Sequence, residues 1–370
     1  ALRGAIVLTH QPQTEFRDAD RPQPGVGETV RTGNPPRIRP NATTPPRQMR
    51  ELLQEAGAGV SLRPSEYRDG TVGVGGSRTT GNDAVPSIVL AAEQYNMIAR
   101  NLASGVPVEL RVELRTRYDE GDTRTFNVIA EIPGSDPALR DEIVLVGAHL
   151  DSWHASSGAT DNGDGAIAVM EAMRILAELD ARPRRTIRVA LWSGEEQGLL
   201  GSRYYGEHPL YPAAQTVAAL NMDVLNQWGR TRDLTVVGMG QSQLDDVASE
   251  IAGRLGRVLT PDPEPEKGFY YRSDHFSFAR AGIPAFYADP GVDYLDKPPG
   301  YGIAKREEYT ANDYHAVSDE VKPDWDLSGA LDDLTFMYHM GARLAATDEW
   351  PEWSVTSEFR AIREQQRPGR

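Results

Sequence analysis

Apolar runs typical of buried strands alternate with helical patterns along most of this chain. Strands that alternate with helices favour an α/β layer fold, in which a mostly parallel sheet is buried between helices. We therefore predict the α/β class, with a mostly parallel mixed sheet sandwiched by helices. The strand-like runs cover residues 127–132, 143–146, 187–192, 217–222, 234–237 and 283–287, and the helical patterns cover 165–179, 244–255 and 327–344.

The N-terminal third has a different texture. Pro and Gly interrupt the first 85 residues, and only short strands and helices are predicted in that stretch. A further strand is predicted over residues 108–114, where the texture of the sequence changes. We predict a smaller β-rich domain over 1–107 and the main α/β domain over 108–370. The chain opens directly on a strand-like run at residues 5–8, so a lead-in with an export signal is expected, and with it a secreted or periplasmic protein.

Composition excludes several classes of function. The 370 residues carry a net charge of −15, which argues against nucleic acid as a partner. Cysteine is absent, so thiol catalysis and Cys-ligated zinc are ruled out. No apolar run reaches the 18 or more residues of a membrane span.

Polar side chains follow the predicted strands. His149 and Asp151 come after the run at 143–146, Glu195 and Glu196 after 187–192, and Asp223 directly after 217–222. Asp161 precedes a helix, and His315 lies in a late polar loop. A parallel sheet brings the groups beyond its strand ends to one edge, so these side chains are expected to meet.

Each cluster has both a chemical and an ordinary interpretation. Residues two apart on a strand point to one side, so Asp151 could orient a metal-binding His149, or the two could be unrelated loop residues. Glu195 and Glu196 could divide the roles of general base and metal ligand, or form a solvated acidic turn. A buried Asp223 needs a partner, either a cation or an ordinary salt bridge to Arg.

Taken together, the set predicts a dinuclear metal site. Two histidines and three carboxylates, one of them bridging, suit Zn²⁺, with Mn²⁺ or Co²⁺ as alternatives. The remaining histidines are predicted to be structural or exposed: His10, His154, His208, His275 and His339.

An ordered set of motifs over residues 120–345 resembles a known family. The chain is similar to the M28 zinc metallopeptidases, which are co-catalytic aminopeptidases. The HLDSW sequence at 149–153 is most similar to the plasma glutamate carboxypeptidase branch of dipeptidases and aminopeptidases, and residues 1–107 look like part of a protease-associated (PA) domain. The motifs are GAHLD at 147–151, GATDNG at 158–163, SGEEQG at 193–198, NMD at 221–223, SDH at 273–275 and YHAVSDE at 314–320.

The resemblance implies a role for each site residue. Asn162 and Ala316 depart from the common family residues, Asp and Thr, but replace no ligand. The implied roles are His149 and Asp223 on one zinc, Glu196 and His315 on the other, Asp161 bridging both, Glu195 as general base, Asp151 supporting His149, and Tyr270 donating to the oxyanion.

The implied function is a metal-dependent exopeptidase that cuts peptides or dipeptides next to a free N-terminal amine. Two alternatives stay open: a glutaminyl cyclase-like transferase on the same scaffold, and a non-catalytic peptidase-like binding protein. Residues 261–272 and 289–309 are the predicted walls of the substrate pocket.

Overall fold

The structure is a computed structural model that describes residues 2–14, 16, 46–66, 70, 72, 84–115, 117, 121–153, 156–180 and 182–367. The chain divides into two compact units, the first ending at Thr123 and the second, larger one beginning at Arg124. This boundary lies later in the chain than the predicted one at 107/108.

The N-terminal unit contains a small parallel sheet in the order β1-β2-β3. In its described part the two helices hold more residues than the three strands, so the expected excess of strands is not seen there. The assignment to a PA domain stays a prediction. The elements are β1 (Ile6–Leu8), α1 (Pro46–Glu55), β2 (Val60–Pro64), β3 (Ser87–Leu90) and α2 (Ala92–Ala103).

The prediction of a strand over residues 108–114 is wrong, because this stretch has no regular secondary structure. The sequence does alternate apolar and polar residues, but Leu110 and Leu114 are 36% and 50% exposed and pack in no core. Alternation alone does not make a strand when no neighbouring strand pairs with it.

The second unit is built around a seven-stranded mixed sheet, in the order β4-β6-β5-β7-β10-β8-β9. The four central strands β6, β5, β7 and β10 run parallel to one another, while β4 and β8 pair antiparallel to their neighbours β6 and β10. The strands are β4 (Val128–Ile132), β5 (Ile143–His149), β6 (Thr186–Trp192), β7 (Thr216–Asn221), β8 (Asp233–Val237), β9 (Val258–Pro261) and β10 (Ala285–Pro290).

Helices cover both faces of this sheet, which explains why its central strands are buried along almost their whole length and are mostly apolar. Successive residues of a strand face opposite sides: Val144 packs in a core with α3, α5 and α8, and Leu145 packs in a second core with α4 and α6. The helices are α3 (Asp164–Glu178), α4 (Leu200–Glu207), α5 (Leu244–Arg254), α6 (His275–Arg280), α7 (Tyr301–Asn312), α8 (Ser328–Ala346) and α9 (Arg360–Gln366). The predicted α/β class is confirmed.

The parallel strands β5, β6 and β7 end at the same edge of the sheet. His149 closes β5, residues 193–196 follow β6, and Met222 and Asp223 follow β7. The topology thus delivers three of the predicted polar clusters to one place. Within the described ranges, no helix has the length and apolar character needed to cross a membrane.

Candidate metal centre

Two histidines approach the same carboxylate from different sides. The Nε2 atom of His149 lies 3.1 Å from Oδ1 of Asp161, and Nε2 of His315 lies 3.3 Å from Oδ2. Asp161 sits in a π-type turn, Ala159–Gly163, between β5 and α3, and its side chain is only 7% exposed. Each oxygen of one buried carboxylate therefore faces a different imidazole.

A second carboxylate completes each half of this arrangement. Asp223 Oδ1 lies 3.3 Å from Nε2 of His149, and Glu196 Oε2 lies 3.0 Å from Nε2 of His315. The ligand atoms within each group of three residues lie within 4.8 Å of one another. We call these groups the His149 group (His149, Asp161, Asp223) and the His315 group (Asp161, Glu196, His315); they share Asp161.

The donor set fits divalent metal ions. Imidazole nitrogen and carboxylate oxygen are ligands that Zn²⁺ accepts. Glu196 Oε1 is buried with no hydrogen-bond partner among the described residues, which leaves a lone pair free for a ligand. The His149 Nδ1–H donates to the carbonyl oxygen of Asp151 at 2.9 Å, so the Nε2 lone pair of neutral His149 is directed at the carboxylates.

The electrostatics show how strongly negative this cluster is. Burial by itself lowers the pKa of His149, but the charge of Asp223 and hydrogen bonds to Asp161 and Asp223 raise it well above its usual value. Burial likewise lowers the pKa of His315, and hydrogen bonds to Asp161 and Glu196 raise it to about 9. Protons on the histidines therefore balance the carboxylates in the metal-free protein, and metal ions must displace them.

Glu195 lies beside the cluster as a buried carboxylate. Burial raises the pKa of Glu195 well above its usual value, and the charges of Asp223, Asp274 and Glu196 raise it further against the opposing effect of His149. A carboxylate whose pKa moves towards the working pH is suited to take up a proton and release it again.

Asp151 makes different contacts from those predicted for it. The partner of His149 Nδ1 is the backbone carbonyl of Asp151. The carboxylate oxygen Oδ1 of Asp151 lies 4.0 Å from the same nitrogen. The carboxylate instead accepts the backbone N–H groups of Glu195 at 3.0 Å and Glu196 at 3.3 Å. Asp151 thus links the end of β5 to the Glu195–Glu196 turn.

Asp319 is a site residue to which the sequence reasoning gave no role. Its carboxylate accepts the backbone N–H of Thr160 at one oxygen and of Asp161 at the other, both at 3.0 Å, and it is 2% exposed. Its carbonyl accepts the N–H of Ala159 and the hydroxyl of Ser157. Its position four residues after His315, inside the YHAVSDE motif, was the available signal.

Asp223 is held from the side opposite His149. The Ser273 hydroxyl donates to Asp223 Oδ2, and Asn221 Nδ2 donates to Ser273 at 2.7 Å. The Tyr287 hydroxyl donates to the backbone carbonyl of Asp223 at 3.2 Å. These contacts leave Oδ1 directed at His149.

Asn162, which stands where the family commonly has Asp, holds the backbone that follows β7. Its Nδ2 donates to the carbonyl of Met222 at 2.9 Å, and its Oδ1 accepts the N–H of Val224 at 3.3 Å. An ionised Asp could not make the first of these bonds, so Asn fits this position.

His315 is held between aromatic rings. Trp153 stacks on it with ring centroids 4.7 Å apart, and Tyr314 stacks on it at 3.8 Å. The backbone of His315 is left-handed, with φ 61°. Stacking and backbone together fix the direction of its Nε2 atom.

The structure does not bring Tyr270 to this cluster. Its ring packs against Tyr271, His275, Phe276 and Phe359, and its buried hydroxyl has no hydrogen-bond partner among the described residues. The predicted oxyanion role of Tyr270 therefore has no support from its contacts. Of the other histidines, His154 lies outside the described residues, and His10, His208, His275 and His339 belong to neither ligand group.

Comparison with known proteins agrees with this geometry. The model of Peptidase family M28 matches residues 127–338, more than half of the chain. The chain belongs to peptidase family M28. It is therefore a metallo-hydrolase of the peptidase type.

The relatives of this M28 chain differ in name. Carboxypeptidase Q from Mus musculus is 39% identical over 212 residues, covering 56% of this chain and 39% of its own length. Leupeptin-inactivating enzyme 1 from Streptomyces exfoliatus is 31% identical over 182 residues, covering 49% of this chain and 39% of its own length. The chain thus spans about two fifths of the length of these relatives.

The fold has counterparts among solved structures. The aminopeptidase from Aneurinibacillus sp. strain AM-1 superimposes with a TM-score of 0.56 at 20% identity, covering 84% of this chain and 69% of that one. At this identity the likeness shows the fold alone.

Proposed function

We propose that this M28 protein is a two-metal exopeptidase that hydrolyses the peptide bond next to a free N-terminal amine. The observation that supports the proposal best is the division of the Asp161 carboxylate, each oxygen of which faces a different histidine. The His149 group and the His315 group would each hold one ion, Zn²⁺ first, with Mn²⁺ or Co²⁺ as alternatives.

Two divalent ions would balance the charge of the cluster without any bound proton. Asp161, Glu195, Glu196 and Asp223 carry −4 together when ionised, and two divalent cations carry +4. With one ion, protons on the histidines or on Glu195 would have to balance the remaining charge, because the pKa values of these groups are raised.

Glu195 is the proposed general base. When bound, the ions would supply Lewis-acid chemistry, lowering the pKa of water and polarising the scissile carbonyl. Glu195 accepts a proton from the attacking water as the oxygen bonds to the carbonyl carbon. It then gives that proton to the departing amine nitrogen as the C–N bond breaks. Asp151, by accepting the N–H of Glu195, holds the base in place.

The preference for a free amine would rest on carboxylates beyond the four that the ions balance, such as Asp151 and Asp319, which contact the backbone of the ligand residues. A protonated α-amine is attracted to this negative edge of the sheet, whereas an acetylated nitrogen has no charge to attract. An exported location, secreted or periplasmic, stays a prediction.

The test compares one dipeptide and one tetrapeptide with their N-acetylated forms, in protein loaded with Zn²⁺ and in protein stripped by a chelator. We expect cleavage of the free peptides by the zinc-loaded protein alone. Rapid cleavage of the acetylated forms would rule out a requirement for the amine.

Two other functions are separated by simple measurements. A glutaminyl cyclase-like transferase using one zinc would show one ion per chain and cyclise an N-terminal glutamine. A binding protein would hold its metal yet turn over none of the peptides. The presence of Glu195 and of both ligand groups favours the peptidase.

A further inference from the structure

The two histidines of the site are oriented in different ways. The Nδ1–H of His149 donates to the carbonyl oxygen of Asp151 at 2.9 Å, which is how a metal-binding imidazole is usually held. His315 directs its Nε2 at Asp161 and Glu196, and its Nδ1 makes no hydrogen bond within the described part of the chain. The orientation of this second imidazole therefore comes from its backbone and from contacts with the faces of its ring.

Two aromatic rings supply the contacts with the His315 ring. The Trp153 ring lies nearly parallel to the imidazole, with an interplanar angle of 5° and ring centroids 4.7 Å apart. The Tyr314 ring stacks at 3.8 Å with an angle of 24°. Tyr314 is the preceding residue and moves with the backbone of His315, whereas Trp153 reaches the imidazole from a distant part of the chain. Stacking restrains the tilt of the imidazole and leaves its edge, which carries Nε2, open to a ligand.

Trp153 stands only four residues after His149, on a segment that is fixed in place. The hydroxyl of Ser152, the residue before Trp153, donates to the backbone carbonyl of Asp161 at 3.0 Å. Gly158 packs so closely on Ser152 that a Cβ atom at this glycine would collide with the hydroxyl oxygen. One short stretch of chain thus supplies a ligand to the His149 group and holds a ligand of the His315 group.

A fixed ring on this face matters because His315 is the more exposed of the two histidines. Its side chain is 21% exposed, against 1% for His149. Without the stacked indole, the imidazole has room to turn its Nε2 away from the two carboxylates of its group. An ion that binds there must then also meet the entropic cost of ordering the imidazole.

We propose that Trp153 is a positioning residue, which holds the imidazole of His315 and thereby raises the affinity of the His315 group for its ion. Because that group binds an ion only in the two-metal function proposed above, this role rests on that function. An indole offers a donor and no ligand atom, so Trp153 acts through His315 and not on the ion. Replacing Trp153 should therefore weaken the binding of one ion and leave the other unchanged.

The experiment is a calorimetric titration of Zn²⁺ into chelator-stripped wild type, Trp153→Leu and Trp153→Phe. A His315→Gln variant identifies the binding step that belongs to the His315 group. For Trp153→Leu we expect this step to weaken by about 10–100-fold and the other step to stay unchanged. Trp153→Phe keeps a flat ring and should recover part of the loss. If Trp153→Leu does not fold, the smaller loss expected for Trp153→Phe at the same step carries the test.

A tryptophan outside the site provides the matched control. Trp350 is half-buried like Trp153, but its ring is covered by arginine, with the guanidinium carbon of Arg367 3.4 Å from its centre. Trp350→Leu should lower the Tm of the metal-free protein and leave both zinc affinities unchanged. Zinc should also change the tryptophan emission of wild type in parallel with the His315 step, and Trp153→Phe should lose this change.

The titration also separates this role from the alternatives. Equal weakening of both steps in Trp153→Leu would mean that Trp153 supports the whole edge of the sheet, and unchanged affinities would mean that the stack has no role; either result overturns the inference. A single binding step in wild type would instead refute the two-metal function itself.

Discussion

Replacing Asp319 by Ala tests whether Asp319 positions the Asp161 carboxylate, which the two ligand groups share. Asp319 touches neither histidine; it accepts the N–H groups of Thr160 and Asp161 and so holds the turn that presents Asp161. Because Asp161 faces both histidines, loosening it should weaken both ligand groups. Ser273→Ala provides the contrast, because Ser273 holds Asp223 of one group only.

The magnitude follows from the two backbone donors left behind. A buried N–H that loses its acceptor costs about 1–3 kcal/mol, so two cost about 2–6 kcal/mol in the free energy of unfolding. At roughly 2–4 °C per kcal/mol for a unit of this size, Tm of the metal-free variant should fall by at least about 4 °C. Metal affinity should fall by about 10–100-fold, as for other residues that orient ligands.

The assay is calorimetric titration of Zn²⁺ into chelator-stripped protein, together with thermal unfolding. For Asp319→Ala we expect both binding steps to weaken, and for Ser273→Ala one of them. Asp324→Ala, at an exposed Asp five residues further along the chain, is the control and should change neither measurement.

One result would refute this reasoning: an Asp319→Ala variant that has lost stability but binds both ions with unchanged affinity. Asp319 would then support the fold without positioning Asp161. A loss confined to one ion would show that Asp161 does not bridge.

Three further predictions follow from the site. Glu195→Gln should keep its metals and lose about 10²–10⁴-fold in kcat, whereas Glu196→Gln should lose metal; exchanged phenotypes would reverse the roles. The pKa of His315 is raised to about 9, so its stabilising contribution to the metal-free protein is full below about pH 6.5 and is lost as the pH rises through 9. Unfolding midpoints between pH 6 and 10 measure this, and a His315→Gln variant should show a smaller step, because the raised pKa of His149 contributes to it as well. Asp151→Ala should lower kcat more than Asp151→Asn, since Asn keeps one acceptor for the N–H groups of Glu195 and Glu196; equal, wild-type rates would show that the carboxylate has no role.

The fold of the larger unit could be predicted because its signals are local. Continuous apolar runs such as 143–146 mark strands buried on both faces, and the helical spacing between such runs marks the covering layers. The antiparallel placement of β4 and β8 could not be predicted, because pairing direction depends on partners far away in the chain. The prediction of a strand over 108–114 was wrong for the same reason. Apolar and polar residues alternate there, but no neighbouring strand pairs with this stretch.

The sequence allowed us to predict which residues meet in the site, but not all of the contacts that they make. His149, Asp161, Glu196, Asp223 and His315 meet as expected. Residue types at strand ends indicate which side chains share an edge, but not which atom of a residue is used. The backbone carbonyl of Asp151, rather than its carboxylate, accepts from the His149 imidazole, and no sequence pattern distinguishes the two.

Backbone strain beside the ligands shows how firmly the loops are held. Val224, next to Asp223, has φ 64°, and His315 has φ 61°. A left-handed conformation costs a β-branched residue such as Val about 1–3 kcal/mol, and it persists only where the surroundings impose it. Asn162 imposes it on Val224 by accepting its N–H. The Tyr314 and Trp153 rings hold His315 in a similar way. Strain at His315 and beside Asp223 indicates that the fold itself holds one member of each group in place, so that the proposed ions would enter an already ordered site.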